Sequence, residues 1–331
     1  MDAVDLKAGV PSKATGFTQL GIELNMRAFK HSILCFFLLA ISLGCAHAED
    51  QYFDSKGVKI RYIVEGKGEP VVLVHGITSS IEQNWAKLIK PLSESYEVIA
   101  LDCRGHGKSD KPTDPKMYGQ EMGEDVIRLM DHLHITKAHL VGYSMGAYIS
   151  FGLMLIHPDR ILTVTIGAGG GIPEPGTPNV LKAAADSLEK DKSFEPLIRA
   201  LWPPKMAAPT PDQIKLFNTI MIGKRTDDDL KALVAVMRGG MGPAAEMSKE
   251  DLNEKLKACA IPILGIVGSD DPAKKNLENL QARLKELKGD KTGMTLIVIE
   301  PGNHADVPNK QEFVTGIQEF LKAHSSLDKA R

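Results

Sequence analysis

The stretch KAHLVGYSMGA, residues 137–147, decides the fold of this chain. Residues 138–141 form a short apolar run typical of a buried strand, and a helical pattern covers residues 147–156. Between the two stands Gly-Tyr-Ser-Met-Gly, residues 142–146. A Gly-x-Ser-x-Gly turn from strand to helix lets the two elements approach closely and leaves the serine hydroxyl exposed at the strand end. The pattern predicts that Ser144 is a nucleophile.

Short apolar runs recur along the chain on both sides of this turn. The predicted strands are residues 51–54, 58–64, 71–74, 98–101, 138–141, 161–166, 263–267 and 295–299. The first two form an antiparallel pair joined by a Ser-Lys-Gly turn, and the others are Val, Ile and Leu rich, as strands buried on both faces of a parallel sheet are. Helical patterns lie between most of them. The predicted fold class is therefore α/β, with a doubly wound, mostly parallel sheet of eight strands.

Polar and glycine-rich motifs follow five of the predicted strands. They are His75-Gly76-Ile77, Asp102-Cys103-Arg104-Gly105-His106-Gly107, Ser144, Gly268-Ser269-Asp270-Asp271 and Gly302-Asn303-His304. In open α/β sheets, ligands bind beyond the carboxyl ends of the strands. These motifs therefore predict one site at that edge of the sheet.

The alternation of strands and helices stops between Gly171 and Glu254. A proline-rich opening there leads to helical patterns that contain several methionines, which predicts a helical cap over the site. Methionine-rich surface is deformable and suits an apolar substrate, although plain packing explains it equally well. The predicted organisation is an upstream segment and signal peptide (1–48), a core in two parts (49–172 and 255–331) and the cap (173–254).

Composition excludes some classes of function. The formal net charge is −2, with acidic and basic residues interleaved, so the chain lacks the basic field that nucleic-acid binding requires. A hydrophobic fraction of 43% supports a globular protein with a sizeable core. Of the four cysteines, Cys103 and Cys259 lie in the predicted core, near opposite ends of the sheet, and we expect both to be free thiols.

The segment from Met26 to Ala48 has the three parts of a secretory signal peptide. Basic residues come first, an apolar run too short to span a membrane follows, and Ala46-His47-Ala48 forms a small-x-small cleavage site. We expect export to the periplasm or medium, with no stable membrane insertion after signal removal. Lipid attachment at Cys45 and a buried amphipathic helix are the alternatives.

Three motifs together carry a resemblance to a known family. They are VLVHG (72–76), DCRGHGKS (102–109) and GYSMG (142–146), in a chain whose candidate residues run in the order Ser, Asp, His. The chain resembles the α/β-hydrolase family from about Gln51 to Leu321. The resemblance implies the α/β-hydrolase fold with a helical cap.

The resemblance also implies roles for individual residues. Ser144 would be the nucleophile, His304 the general base, and Asp271 the acid that orients the imidazole, with Asp270 the alternative, expected otherwise to cap the next turn. The backbone N–H groups of Met145 and Ile77 would form the oxyanion hole. No cofactor and no metal are implied.

Other histidines and charged residues receive a structural interpretation. His75, Asp102, Arg104 and His106 are expected to hold the loops around the pocket through hydrogen bonds. Three further histidines precede or begin the strand before Ser144, far from the site, and are expected to be packing or surface residues instead of metal ligands. They are His132, His134 and His139.

The function implied is that of a serine hydrolase that cleaves small carboxylic esters, with an apolar acyl group, through an acyl-enzyme. Carbon–carbon bond hydrolysis, amide or peptide cleavage and perhydrolysis are alternatives on the same three residues. Relatives that dehalogenate or open epoxides carry Asp at the position of Ser144, which disfavours those two reactions for this chain. A non-catalytic ligand-binding module on the same fold is an alternative of a different kind, since fold alone does not determine function. The sequence leaves the oligomeric state open.

Overall fold

The computed structural model describes residues 49–174, 180–223, 225–242 and 247–325, which belong to one compact unit, Ala48–Arg331. Its sheet has eight strands in the order β1-β2-β4-β3-β5-β6-β7-β8. The strands are β1 (Gln51–Asp54), β2 (Lys59–Glu65), β3 (Glu69–Val74), β4 (Tyr96–Leu101), β5 (Ala138–Tyr143), β6 (Ile161–Gly167), β7 (Ile263–Gly268) and β8 (Met294–Ile299). Antiparallel pairing joins β1 to β2 and β2 to β4, and all other pairs are parallel. The predicted fold class is confirmed.

Helices cover both faces of the sheet. Those described are α1 (Ile81–Trp85), α2 (Ile89–Ser93), α3 (Gln120–His132), α4 (Met145–Ile156), α5 (Val180–Asp191), α6 (Glu195–Ala200), α7 (Pro211–Ile222), α8 (Asp227–Gly239), α9 (Lys249–Ala258), α10 (Lys274–Lys288) and α11 (Gln311–His324). Every residue of β5 and β7 is buried, as are residues 71–74 of β3, because helices pack against both faces of these central strands. The edge strand β1 instead buries one residue in four.

Helices α5 to α8, between β6 and β7, form a layer with an apolar core of its own. Ala184, Ala185, Leu188 and Phe194 are its fully buried members, and Ile77 from the loop after β3 packs against it. Helix α9 differs, because Leu256 belongs to the main core and the helix packs on α4 and α10. We use "cap helices" for α5 to α8. The domain boundaries given above remain predictions.

The methionines of this region are divided between packing and exposure. Met237 is buried within the core of the cap helices, and Met241 and Met247 pack against the main core. Met206, between α6 and α7, is exposed. Packing therefore accounts for Met237, Met241 and Met247, whereas Met206 contributes apolar surface.

The predicted signal peptide from Met26 to Ala48, and the alternative lipid attachment at Cys45, lie outside the described residues. Among the residues that the structure does describe, every helix is too short or too polar to cross a lipid bilayer. Cys103 and Cys259 are both buried free cysteines.

Candidate active site

Three loops at the carboxyl ends of β5, β7 and β8 bring Ser144, Asp271 and His304 together. His304 Nε2 lies 3.0 Å from Ser144 Oγ, and His304 Nδ1 lies 2.9 Å from Asp271 Oδ2. The Asp271 side chain is fully buried, whereas His304 keeps a small exposed fraction. The chain of hydrogen bonds runs from carboxylate to imidazole to hydroxyl, which is the arrangement that activates a serine.

The backbone at Ser144 is held in an unfavourable conformation by its surroundings. Its φ of 52° and ψ of −114° lie outside the regions that L-residues prefer. A Cβ atom on Gly142 would lie 2.1 Å from the carbonyl oxygen of Gly146, and one on Gly146 would lie 1.8 Å from that of Val74. Only glycine therefore allows α4 to begin so close to β3 and β5, and this tight turn places the Ser144 side chain at the strand end.

Two backbone N–H groups next to Ser144 have no acceptor among the residues that the structure describes. They belong to Met145, the first residue of α4, and to Ile77, after β3. The two loops adjoin, because a Cβ on Gly76 would lie 3.2 Å from Ser144 Cβ. Unpaired N–H groups of this kind can stabilise an oxyanion. The assignment of these two groups to an oxyanion hole remains a prediction.

The loop that carries Ile77 is a tight turn. Ser79 N donates to the carbonyl oxygen of Gly76, and Gly76 N donates to Asn84 Oδ1. Thr78 has a φ of 62°, which is rare for a β-branched residue. From the cap helices' side, Arg225 Nη2 donates to the Thr78 carbonyl oxygen. Contacts from the core and from the cap helices therefore fix the backbone of this turn.

Asp271, and not Asp270, contacts His304. Asp271 Oδ1 also accepts a hydrogen bond of 2.8 Å from Ala273 N, so one carboxylate both orients the imidazole and caps the next turn. The expectation that the second aspartate caps that turn is wrong, because the Asp270 carboxylate points away and pairs with Lys205 Nζ at 2.7 Å. Lys205 lies between α6 and α7, so this ion pair joins the cap helices to the Asp271 loop.

Sequence reasoning did not single out Tyr143, which holds the loop that carries His304. Its hydroxyl donates a 2.7 Å hydrogen bond to the backbone carbonyl of His304. Burial, followed by the nearby Asp271 and Asp306 carboxylates, raises the pKa of Tyr143 well above its ordinary value, so the hydroxyl stays protonated and can donate. Tyr143, which directly precedes Ser144, thus fixes the loop that carries His304. No pattern in the sequence marks this contact, which spans 161 positions.

The residues expected to hold the loops make the contacts that this role requires. His75 Nδ1 donates to the Gly76 carbonyl and Nε2 accepts from Cys103 N. Asp102 accepts from Ile81 N, Lys108 N and Arg61 Nη1. These bonds join the loops after β3 and β4.

Arg104 and two of the three further histidines, His132 and His139, make packing or hydrogen-bond contacts with neighbouring residues. Arg104 forms a buried pair with Asp125, with Nε 2.6 Å from Oδ2. His132 stacks on Phe53, and His139 Nδ1 lies 2.8 Å from Thr163 Oγ1. In the described part of the chain, no group of three or more His, Cys, Asp or Glu side chains could hold a metal ion.

Burial of His75 and His106 makes the protein sensitive to acid. Burial lowers the pKa of both imidazoles, that of His106 to about 3, with His75 a second cause there. The unfolded chain binds a proton at such a residue below a pH of about 6.5. At a pH between the folded-state and the unfolded-state pKa of such a histidine, the unfolded state therefore binds more protons than the folded state. The free energy of unfolding must fall as the pH drops through this window.

We therefore predict that His106→Gln makes the acid dependence of stability shallower. Removing one proton-binding group reduces the slope of the unfolding free energy against pH by at most about 1.4 kcal/mol per pH unit. Urea unfolding of both proteins at several pH values between 6.5 and 4 measures this slope. Equal slopes for the variant and the wild type would mean that His106 binds a proton as readily in the folded state as in the unfolded chain.

The family model described as α/β hydrolase fold matches residues 69–193. This span contains the strand, turn and helix around Ser144, and the eight-stranded sheet and the three loops described above complete the arrangement. The chain has the α/β-hydrolase fold, and its sequence matches the model of that family over residues 69–193.

Curated relatives of this α/β hydrolase differ in their reactions. The chain is 26% identical over 302 residues to 2-hydroxy-6-oxo-6-(2'-aminophenyl)hexa-2,4-dienoic acid hydrolase of Metapseudomonas resinovorans, an alignment that covers 85% of this chain and 93% of that one. It is 28% identical over 188 residues to 3-oxoadipate enol-lactonase 1 of Acinetobacter baylyi, covering 57% and 66%. With the acetyltransferase component of an acetoin-cleaving system from Cupriavidus necator it shares 28% identity, but the match spans only 58% of that protein.

A solved structure supports the fold of this α/β hydrolase. The enol-lactonase of Burkholderia xenovorans LB400 aligns with a TM-score of 0.64 and 22% identity, over 82% of this chain and all of that one. At this level of identity the likeness concerns the fold, and the reaction has to be argued from the site.

Proposed function

We propose that this α/β hydrolase cleaves carboxylic esters through an acyl-enzyme, without a cofactor. The observation that carries the proposal is the unbroken chain of hydrogen bonds from Asp271 through His304 to Ser144, next to two unpaired backbone N–H groups. The chain itself thus supplies a nucleophile, a base and donors for an oxyanion. A module that only binds its ligand has no need of all three.

In the first half of the reaction, Ser144 Oγ attacks the ester carbonyl while His304 Nε2 accepts its proton. The carbonyl oxygen becomes an oxyanion, which the N–H groups of Met145 and Ile77 stabilise. Asp271 stabilises the imidazolium and holds its Nδ1–H in place. The tetrahedral intermediate then collapses, His304 passes the proton to the leaving alcohol, and the acyl group stays on Ser144.

In the second half, water repeats the sequence on the acyl-enzyme. His304 accepts a proton from water, the hydroxide adds to the acyl carbonyl, and the same N–H groups bind the oxyanion. Collapse releases the carboxylic acid and returns the proton to Ser144 Oγ. Ile77 also packs against the apolar core of the cap helices, which supports an apolar acyl group on this side of the carbonyl.

Two measurements test the proposal. A fluorophosphonate should label the purified protein at Ser144, located by peptide mass spectrometry, and 4-nitrophenyl esters of increasing acyl length should be hydrolysed. The length that gives the highest kcat/KM measures the acyl pocket. A folded sample that is neither labelled nor active, but binds a small apolar ligand saturably, would show a binding module instead.

Carbon–carbon bond hydrolysis is the second candidate, favoured by the match to the dienoic acid hydrolase, which covers 93% of that relative. Such a reaction protonates a carbanion equivalent, whereas an ester releases an alkoxide. Incubation with a dienoate of that class, followed by loss of its visible absorbance, distinguishes the two. Turnover of the dienoate much faster than of any ester would replace our first proposal.

Export is proposed on the sequence from Met26 to Ala48 alone. The N-terminal residue of the protein recovered from a bacterial periplasm would test it, with Glu49 the expected first residue.

A further inference from the structure

A cavity of about 370 Å³ opens beside the turn that carries Ile77, between the core and the cap helices. From the core, Thr78, Ser79 and Gln83 line it, and from the cap side Arg225 and Asp229 do so. Thr78 directly follows the expected oxyanion donor. The cavity therefore adjoins the turn of the proposed oxyanion hole, although Ser144 itself does not line it.

Arg225 is a cation without a carboxylate partner in the described part of the chain. Its guanidinium makes one described hydrogen bond, from Nη2 to the Thr78 carbonyl, although it has five N–H donors. Burial lowers the pKa of Arg225, with only Asp229 opposing that effect. Arg225 is half-buried, and charges that are taken out of water are ordinarily paired. The remaining donors of Arg225 are thus available to an anion from outside the chain.

The other charged group of the cavity is already neutralised. Asp229 Oδ2 accepts hydrogen bonds from Thr226 N and Thr226 Oγ1, and Asp229 Oδ1 pairs with Lys111 at 3.4 Å. Its carboxylate therefore does not need Arg225 as a partner and repels a bound anion less than a free carboxylate would.

Uncharged donors face the same space. The side chains of Thr78, Ser79 and Gln83 have no hydrogen-bond partner among the described residues, and each can donate. A planar carboxylate fits the fork of a guanidinium, with hydroxyl and amide groups completing its shell. The cavity is thus rich in donors, with its one acidic group compensated.

We propose that this cavity is a carboxylate-binding subsite, in which Arg225 holds an anionic group of a substrate whose ester carbonyl is attacked by Ser144. The inference rests on the proposed function and narrows it to acidic esters. The substrate would carry a carboxylate on the side of Thr78 and an apolar group toward the core of the cap helices.

Two esters of the same six-carbon diacid test the subsite. One is 4-nitrophenyl hydrogen adipate, which is an anion, and the other is its neutral methyl ester, with spontaneous hydrolysis measured in the Ser144→Ala protein and subtracted. For the wild type we expect the lower KM with the anion. Arg225→Gln should raise KM for the anion by about 10- to 100-fold more than for the neutral ester, the range of a charge-assisted hydrogen bond.

Two further variants separate binding from structure. Arg225→Lys keeps the charge but loses the fork, and we expect a KM between those of wild type and Arg225→Gln. Arg199→Gln removes an exposed arginine of α6 that pairs with Glu195, and should change neither KM. If Arg225→Gln lowers kcat for both esters in equal proportion and leaves their KM ratio unchanged, Arg225 only holds the turn at Thr78, and the subsite is overturned.

A failure of the proposed function would give a different result. If the wild type hydrolyses neither ester, calorimetry with monomethyl adipate still measures the subsite directly. Binding to wild type that is lost in Arg225→Gln supports the subsite, whereas a wild type that does not bind this carboxylate overturns it.

Discussion

Replacing Ser144 by alanine is expected to reduce kcat by about a million-fold, the loss seen when a serine hydrolase loses its nucleophile. Alanine lacks the hydroxyl that lies 3.0 Å from His304 Nε2, so no acyl-enzyme can form. The fold should survive, because Ala168 already adopts a φ of 47° in this protein. Hydrolysis of the best 4-nitrophenyl ester and fluorophosphonate labelling measure the loss, and circular dichroism verifies the fold.

Ser150 provides a matched control for Ser144. It lies in α4, is fully buried, and its hydroxyl has no partner among the described residues. Ser150→Ala therefore removes a serine hydroxyl from the helix that directly follows Ser144 without touching the proposed reaction, and should leave kcat and labelling unchanged. Equal loss in both variants would mean that damage to α4, and not the missing nucleophile, explains Ser144→Ala.

The Asp271→Asn variant should lower kcat by about ten thousand-fold while leaving the fold intact. The asparagine Oδ1 can still accept the hydrogen bond from Ala273 N. In that orientation the NH₂ group of the asparagine faces His304 Nδ1. Imidazole facing that donor adopts the tautomer with its proton on Nε2, which cannot accept a proton from Ser144. Steady-state kinetics gives kcat, and the pH profile of kcat/KM should also change.

Asp270→Asn is the control for this second substitution. It makes the same chemical change one position away, and breaks only the pair with the exposed Lys205 Nζ. Because surface ion pairs contribute little, we expect kcat to stay within about threefold of wild type. If Asp270→Asn is the more damaging variant, the acid has been assigned to the wrong residue.

The sheet could be predicted because its signals are local, whereas the roles expected for Ser144, Asp271 and His304 came from the resemblance to the α/β-hydrolase family. Strands buried on both faces appear as short apolar runs, and the predicted bounds of β5 differ from the observed ones by two residues, at the end that leads into Ser144. Motifs at the carboxyl ends of parallel strands must converge at one edge. That constraint brought Ser144 and His304 together, although 160 positions separate them.

The contacts that hold the loops around the candidate site could not be predicted, because each joins distant segments of the chain through one side chain. Arg225 meets the Thr78 carbonyl across 147 positions, and Lys205 meets Asp270 across the gap between layers. The packing of the cap helices decides both contacts, and helix packing depends on the full set of side chains at the contact. Tyr143 is similar, since many residue types would suit the pattern around Ser144.

The order of the elements along the chain has a consequence for biosynthesis. Ser144 and both proposed oxyanion donors follow β3 and β5, but Asp271 and His304 follow β7 and β8, and β8 is an edge strand of the sheet. A ribosome therefore completes the serine and its turn long before the imidazole that would activate it. The nascent polypeptide carries a dormant hydroxyl, and the proposed triad is assembled only when the last strand docks.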